Sequence, residues 1–164
     1  ARLINDEKAT QFIEHIAYNR LDAAYDQDIF TGATLRGKLG VNAMEANRSL
    51  YSHVIYDSDN ERRFAQELDV SDQVAVYVKL PGSFYISTPV GKYNPDWAIA
   101  FNEGSVKHIY FVAETKGNLD TMELRGVENA KIECAKKHFA AISNGSVVYS
   151  VVDNYSTLMQ LVSN

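Results

Sequence analysis

A mixed α/β fold, with one central sheet flanked by helices, is what this sequence predicts, and three observations carry the prediction. Short runs of strand-like composition, such as Val74-Ala75-Val76-Tyr77-Val78 and Trp97-Ala98-Ile99-Ala100-Phe101, alternate with longer stretches of helical period. Two of the strand-like runs, Trp97 to Phe101 and Val106 to Ala113, are separated by Asn102-Glu103-Gly104-Ser105, which is turn chemistry for a hairpin. A long helical candidate, Met122 to Ile142, follows the hairpin and precedes a final strand, Val147 to Val152. A sheet of about four or five strands accommodates these elements.

The elements follow in order. Asp6 to Tyr25 reads as a helix, because Ala9, Phe12, Ile13, Ile16, Ala17 and Leu21 recur near a 3.6 period. Gly32, Gly37 and Gly40 interrupt the pattern, so Thr31 to Gly40 reads as loop. Ser52 to Tyr56 is a short apolar stretch. Asp57-Ser58-Asp59-Asn60 marks a helix start, and Ser58 with Glu61 matches a capping box. In the helix from about Asn60 to Leu68, Phe64, Ala65 and Leu68 form the apolar face, and Glu61 lies on that same face. A carboxylate on a core-facing stripe needs a partner, since burying it unpaired is costly. Val74 to Val78 is a strand stopped by Pro81-Gly82, and Phe84 to Ser87 is a second, stopped by Pro89. Asn144-Gly145 ends the long helix, and Leu158 to Val162 is a short closing helix. Residues 1–47 read as a helical lead-in or linker, and residues 48–164 as the folded domain.

Composition narrows the class. The chain of 164 residues is 46% hydrophobic and carries 10 Tyr and 7 Phe, enough for a substantial single core. No apolar run approaches the ~18 residues of a membrane helix, and the opening Arg2 to Lys8 is too polar for a signal peptide. A single cysteine, Cys134, excludes an internal disulfide and suits a reducing cytoplasm. The net charge of −5 is unusual for a protein that grips nucleic acid by itself. It fits a domain that cuts while other domains hold the DNA. Ala1 in place of an initiating Met suggests a fragment or a processed product.

The residues that carry chemistry lie between Tyr93 and Gly117. Glu114 and Lys116 are two apart on a strand-like run, so they share a face, and Thr115 points the other way. If the hairpin reverses near Gly104-Ser105, Asp96 falls roughly opposite Glu114. Two carboxylates and an ammonium then converge at one sheet end. Two carboxylates flanking a gap suit a hard, oxygen-seeking cation such as magnesium. Such an ion polarises a phosphate and acidifies an attacking water. Lys116 stabilises developing charge, or orients and deprotonates the water. Glu61, on the inner face of an upstream helix, is available as a further ligand, directly or through water. The bland alternative is that Glu114 and Lys116 form only a solvated ion pair.

Pro95-Asp96, Glu114-x-Lys116 and the helical Glu61 together resemble the PD-(D/E)xK nuclease superfamily. A wider string is more specific. Tyr56-Asp57-Ser58, Lys79-Leu80-Pro81, Thr88-Pro89-Val90-Gly91-Lys92-Tyr93-Asn94-Pro95-Asp96-Trp97 and Glu114-Thr115-Lys116-Gly117 are similar to the C-terminal endonuclease domain of the Res subunit of type III restriction enzymes. So is Glu128-x-x-Lys131-Ile132-x-Cys134-Ala135-x-x-His138-Phe139, and the likeness extends over about Ser52 to Val152. The resemblance implies a restriction-endonuclease-like fold, a mixed β-sheet flanked by helices. It implies magnesium-dependent hydrolysis of double-stranded DNA, with Asp96, Glu114 and Lys116 catalytic and Asp96, Glu114 and Glu61 holding the metal. It also implies a bacterial cytoplasmic setting, a helicase part of the same Res subunit, and a modification (Mod) methyltransferase subunit as partner. ATP belongs to the intact enzyme, since no Gly-x-x-x-x-Gly-Lys-Ser/Thr loop occurs here. The rival readings are another PD-(D/E)xK nuclease, of repair or junction-resolving type, or a non-catalytic DNA-binding or docking domain.

Secondary candidates are weighed individually. Lys92, Tyr93, Arg125 and Lys131 are DNA-contact candidates, the last near Glu128 at helical spacing. Lys79 and Lys107 are further basic residues for which a solvated surface is the simpler reading. His108 reads as structural, His138 as core, Cys134 as a buried helix residue and Trp97 as core on the face opposite Asp96. No Cys or His spacing suggests zinc.

Overall fold

The computed structural model describes residues 17–18, 37–102, 109–113, 126–143 and 147–163, with backbone alone for 109–113 and 126–128. Its elements in chain order are β1 (Ala43–Glu45), β2 (His53–Ile55), α1 (Asp59–Val70), β3 (Val74–Lys79), β4 (Ile86–Thr88), β5 (Gly91–Tyr93), β6 (Trp97–Phe101), β7 (Ile109–Ala113), α2 (Gly126–Ile142), β8 (Val147–Val151) and α3 (Tyr155–Val162). The central sheet has the order β3-β6-β7-β8. Its first three strands are antiparallel neighbours, and β8 joins β7 in parallel after the α2 crossover. The sheet is therefore mixed, as expected, with helices on both faces. The predicted helix over Asp6–Tyr25 lies outside the described residues apart from Ala17 and Tyr18, which belong to no helix or strand.

The helix α1 begins where the capping box places it. Ser58 is the N-cap and its Oγ accepts a hydrogen bond from the Glu61 amide at 3.2 Å. The Glu61 carboxylate reaches back, but to the amide of Asp57 rather than to that of the cap. Phe64, Ala65 and Leu68 are the buried face, as the period requires. They pack with Val74, Tyr77, Trp97, Ile99 and Phe101 on the sheet, and with Leu158 and Val162 of α3. Trp97 is fully buried, its ring 5.7 Å from that of Phe64 and 6.2 Å from that of Tyr77. On the opposite face, Ile132, Ala135 and Phe139 of α2 pack with Ile86 and Tyr149.

The pairings of two short hairpins are absent from the sequence-based expectation, although its strand over Phe84–Ser87 overlaps β4. In the first, β1 pairs with β2. The chain between them runs beside β3: the Leu50 amide donates to the Tyr77 carbonyl at 2.9 Å, and the Tyr77 amide to that of Arg48 at 3.1 Å. Asp69, near the end of α1, fastens this strap by accepting from the amides of Asn47 and Arg48, both at 2.8 Å, and from the Tyr77 hydroxyl at 3.2 Å. The strap occupies hydrogen-bonding groups that an edge strand would otherwise expose. In the second hairpin, β4 pairs with β5 through Gly91 at φ +111°, a conformation that side chains disfavour. Both hairpins have three-residue strands, too short for alternation to reveal their pairing in a sequence.

Replacing Phe64 by Ala removes the ring that α1 presses onto Trp97. The expected cost is about 3–5 kcal/mol of unfolding free energy, measurable by urea denaturation followed through the fluorescence of the single tryptophan.

Candidate active site

Strand β6 sets the geometry. In its register, Trp97 faces Lys79 of β3 on one side and Val112 of β7 on the other. Asp96 is one residue before that row, and Ala113, the last described residue of β7, is one residue past it. The Asp96 carbonyl accepts from the Leu80 amide at 2.8 Å, which ties the start of β6 to the end of β3. Pro95 is fully buried, and Asn94 clamps the preceding loop by donating to the carbonyls of Gly82, at 3.1 Å, and Phe84. The backbone that carries Asp96 is thus held on both sides.

Asp96 is partly buried and lies on the Tyr149 side of the sheet. Burial first, then Tyr93, then the Asp96 carboxylate push the Tyr149 phenol far above its ordinary range. The Tyr93 and Tyr149 hydroxyls are 2.6 Å apart. Trp97 packs against α1 on the other face, in keeping with the expected alternation. Glu114, Lys116 and Arg125 lie outside the described residues, as does the side chain of Glu128.

Glu61 does have the partner that its position on the helix demands. The Lys79 ammonium is 2.6 Å from Glu61 Oε2 and 2.6 Å from Asp57 Oδ2. The side chains of Lys79 and Glu61 are 19% and 15% exposed, whereas that of Asp57 is 80% exposed. Burial alone lowers the Lys79 pKa, but the hydrogen bonds and charges of Asp57 and Glu61 outweigh it and hold the pKa above the ordinary lysine value. Lys79 is therefore a half-buried ion-pair residue, not the solvated basic residue that its sequence suggested. The signal was present in two halves. Glu61 on an apolar face needed a cation, and Lys79 shares parity with buried Tyr77 on an adjacent strand.

The remaining candidates divide. Lys92 is exposed, its ammonium 3.9 Å from the centre of the Tyr85 ring. Tyr93 is committed to Tyr149, while Lys131 on α2 lies beside Gly91 of the β5 hairpin. Cys134 is fully buried, as expected. His138 is half-buried against the rings of Tyr18 and Phe139, and its Nδ1 has no hydrogen-bond partner among the described residues. Among the described residues no group of three or more His, Cys, Asp or Glu gathers to hold a metal. No helix among them is long and apolar enough to cross a membrane.

A helix, three antiparallel strands, a crossover helix and a parallel fourth strand, with an acid at the start of the second of these strands, define a domain of restriction-endonuclease-like architecture. A family model described as an endonuclease domain matches residues 47–155. The chain belongs to that endonuclease-domain family. No curated protein and no solved structure matches it.

Two predictions follow from these environments. Glu61→Ala leaves the half-buried Lys79 with one exposed acceptor and is expected to cost about 2 kcal/mol, whereas Asp57→Ala should cost about 0.5 kcal/mol or less; thermal denaturation of both variants checks the order. Burial holds the His138 pKa below the ordinary histidine value of about 6.5. The unfolded chain therefore binds the proton first as pH falls. The stability associated with neutral His138 is complete above about pH 6.5 and is lost as pH drops toward the lowered folded value. His138→Phe should flatten that acid limb in a melting-temperature series from neutral pH downward.

Proposed function

We propose that this endonuclease domain hydrolyses DNA phosphodiester bonds with magnesium, as the cleavage module of a type III restriction enzyme. One observation carries the reading. Strands β6 and β7 are antiparallel neighbours, and the row Lys79-Trp97-Val112 brings Asp96 and the end of β7 to the same end of the sheet. In the sequence Glu114 follows Ala113 directly, and Lys116 is two residues further on. The strand alternation that sets Glu114 and Lys116 on one face is a sequence argument.

The residues fit a hard cation. Carboxylate oxygens are the donors such an ion prefers, and Asp96 supplies one at the start of β6, partly open to solvent. Asp96 and Glu114 would hold the magnesium, whereas Glu61, expected from the sequence as a further ligand, is paired with Lys79 on the α1 face, opposite the Tyr149 side on which Asp96 lies. When bound, the ion would supply Lewis acidity toward the phosphate and a more acidic water. Buried Pro95 and the Leu80 amide fix the backbone at Asp96, which supports this reading because that backbone need not reorganise. Lys116 would offset negative charge on the phosphoryl oxygens, or orient the attacking water. Lys92 on the β5 hairpin and Lys131 on α2 would meet phosphates, with Arg125 as a further candidate. The net charge of −5 supports a division of labour in which a helicase part and a Mod subunit supply most of the grip on DNA.

Supercoiled-plasmid cleavage tests the proposal. The wild-type chain should nick with magnesium or manganese and stop with EDTA. Lys116→Ala and Asp96→Asn should each reduce the rate on the order of 10²-fold or more. Equal cleavage by wild type and both variants would sink the assignment.

A further inference from the structure

We infer that Tyr149 is a positioning residue for DNA binding: it donates its hydroxyl hydrogen to Tyr93, and so turns the Tyr93 hydroxyl outward as a donor to a backbone phosphate beside Asp96. The inference rests on the proposed reading of Asp96 as part of a DNA-cleaving site. Its basis is a pair of phenol oxygens 2.6 Å apart, the Tyr149 ring buried and the Tyr93 ring half-buried.

The Tyr149 ring is locked by its neighbours. It stacks on Phe139 with ring centres 5.5 Å apart and planes 10° from parallel, and it meets the Tyr93 ring edge-on at 6.3 Å. Ile86, Ile132 and Ala135 complete an apolar surround. A hydroxyl placed there without a partner is costly, and among the described residues Tyr93 is the partner it has. That sets the direction of the bond. If Tyr93 donated the shared hydrogen, the Tyr149 hydrogen would be left in the apolar cluster with nothing to accept it. With Tyr149 as donor both hydroxyls are satisfied, and the Tyr93 hydrogen points away from the core. Two hydroxyls in series polarise each other, which makes the outer one the stronger donor.

The outer hydroxyl is also on the right side of the sheet. Ala98, Phe111 and Tyr149 lie on one rung across β6, β7 and β8. Asp96 is two residues before Ala98 and shares that face. The charge of Asp96 is felt at Tyr149, where it adds to burial and to Tyr93 in keeping the phenol protonated. Tyr93 is three residues before Asp96, and the two residues between are held in place. Asn94 donates to the Gly82 and Phe84 carbonyls, and Pro95 is fully buried. Exposed Lys92 precedes Tyr93 on the same hairpin. Tyrosine hydroxyls are among the donors that position a DNA backbone through its phosphate oxygens.

The test is binding of a fluorescently labelled DNA duplex in EDTA, read by anisotropy, for wild type, Tyr149→Phe, Tyr93→Phe and the double variant. Tyr93→Phe deletes the donor and should weaken binding about tenfold, whereas Tyr149→Phe only frees it and should weaken binding about threefold. The double variant should equal Tyr93→Phe, because Tyr149 acts through Tyr93. The slope of log affinity against log salt should stay as in wild type, since a neutral donor releases no counterion. Melting temperatures check the direction of the bond. Tyr93→Phe strands the buried Tyr149 hydroxyl and should melt below Tyr149→Phe, which leaves a half-exposed hydroxyl that water satisfies. Wild-type affinity in Tyr149→Phe, losses that add in the double variant, or the reverse order of melting would overturn the positioning role. Wild-type affinity in Tyr93→Phe, a reduced salt slope, or no binding of the duplex by wild type would overturn the phosphate contact. The nuclease reading is decided separately, by metal-dependent nicking with wild type and Asp96→Asn.

Discussion

The structure depends on one constraint above others: the start of strand β6 must be buried and must also present an acid. Trp97 is fully buried between Phe64 and Tyr77, while the preceding residue, Asp96, projects to the other side of the sheet. Strand alternation is what makes this possible, since one step along the chain changes the face. A register slip of one residue in β6 would drive the indole out of the core and the carboxylate into it. The central position of β6, paired on both edges, blocks such a slip.

Much of the surrounding structure serves to hold that strand end. Buried Pro95, the Asn94 clamp and the bond from the Leu80 amide fix the backbone on either side of Asp96. The β4–β5 hairpin packs beside α2, and the Tyr93–Tyr149 contact joins it to β8. On the other face, α1 brings Glu61 to Lys79, whose strand partner is Trp97 itself. The ion pair and the aromatic core are thus neighbours across one rung of the sheet.

The strap from Asn47 to Leu50 has a different task. It covers the outer edge of β3 and is fastened to α1 by Asp69, which accepts from two amides and a hydroxyl. Since β3 carries Lys79, the strap steadies the strand from which Lys79 reaches Glu61. The matched endonuclease-domain region begins at residue 47, where this strap starts.

The sequence by itself determined the elements whose pattern is local. Trp97–Phe101 emerges with the predicted bounds, and the helix begun by the Ser58 capping box, the strand after it, the long crossover helix and the last strand are displaced by no more than a few residues at their ends. Each has a run long enough for period or capping to mark it. That Glu61 needs a partner was legible too, because a carboxylate on an apolar helix face stands out from its neighbours. Only the tertiary structure decided which cation answers Glu61. Lys79 is 18 residues away in sequence and reaches it because β3 lies beneath α1. Tertiary structure also decided the two short hairpins and the parallel return of β8, which rest on pairings between distant segments. Such contacts leave no periodic trace in either partner alone, and so the identity of an ion pair across two elements is a property of the fold.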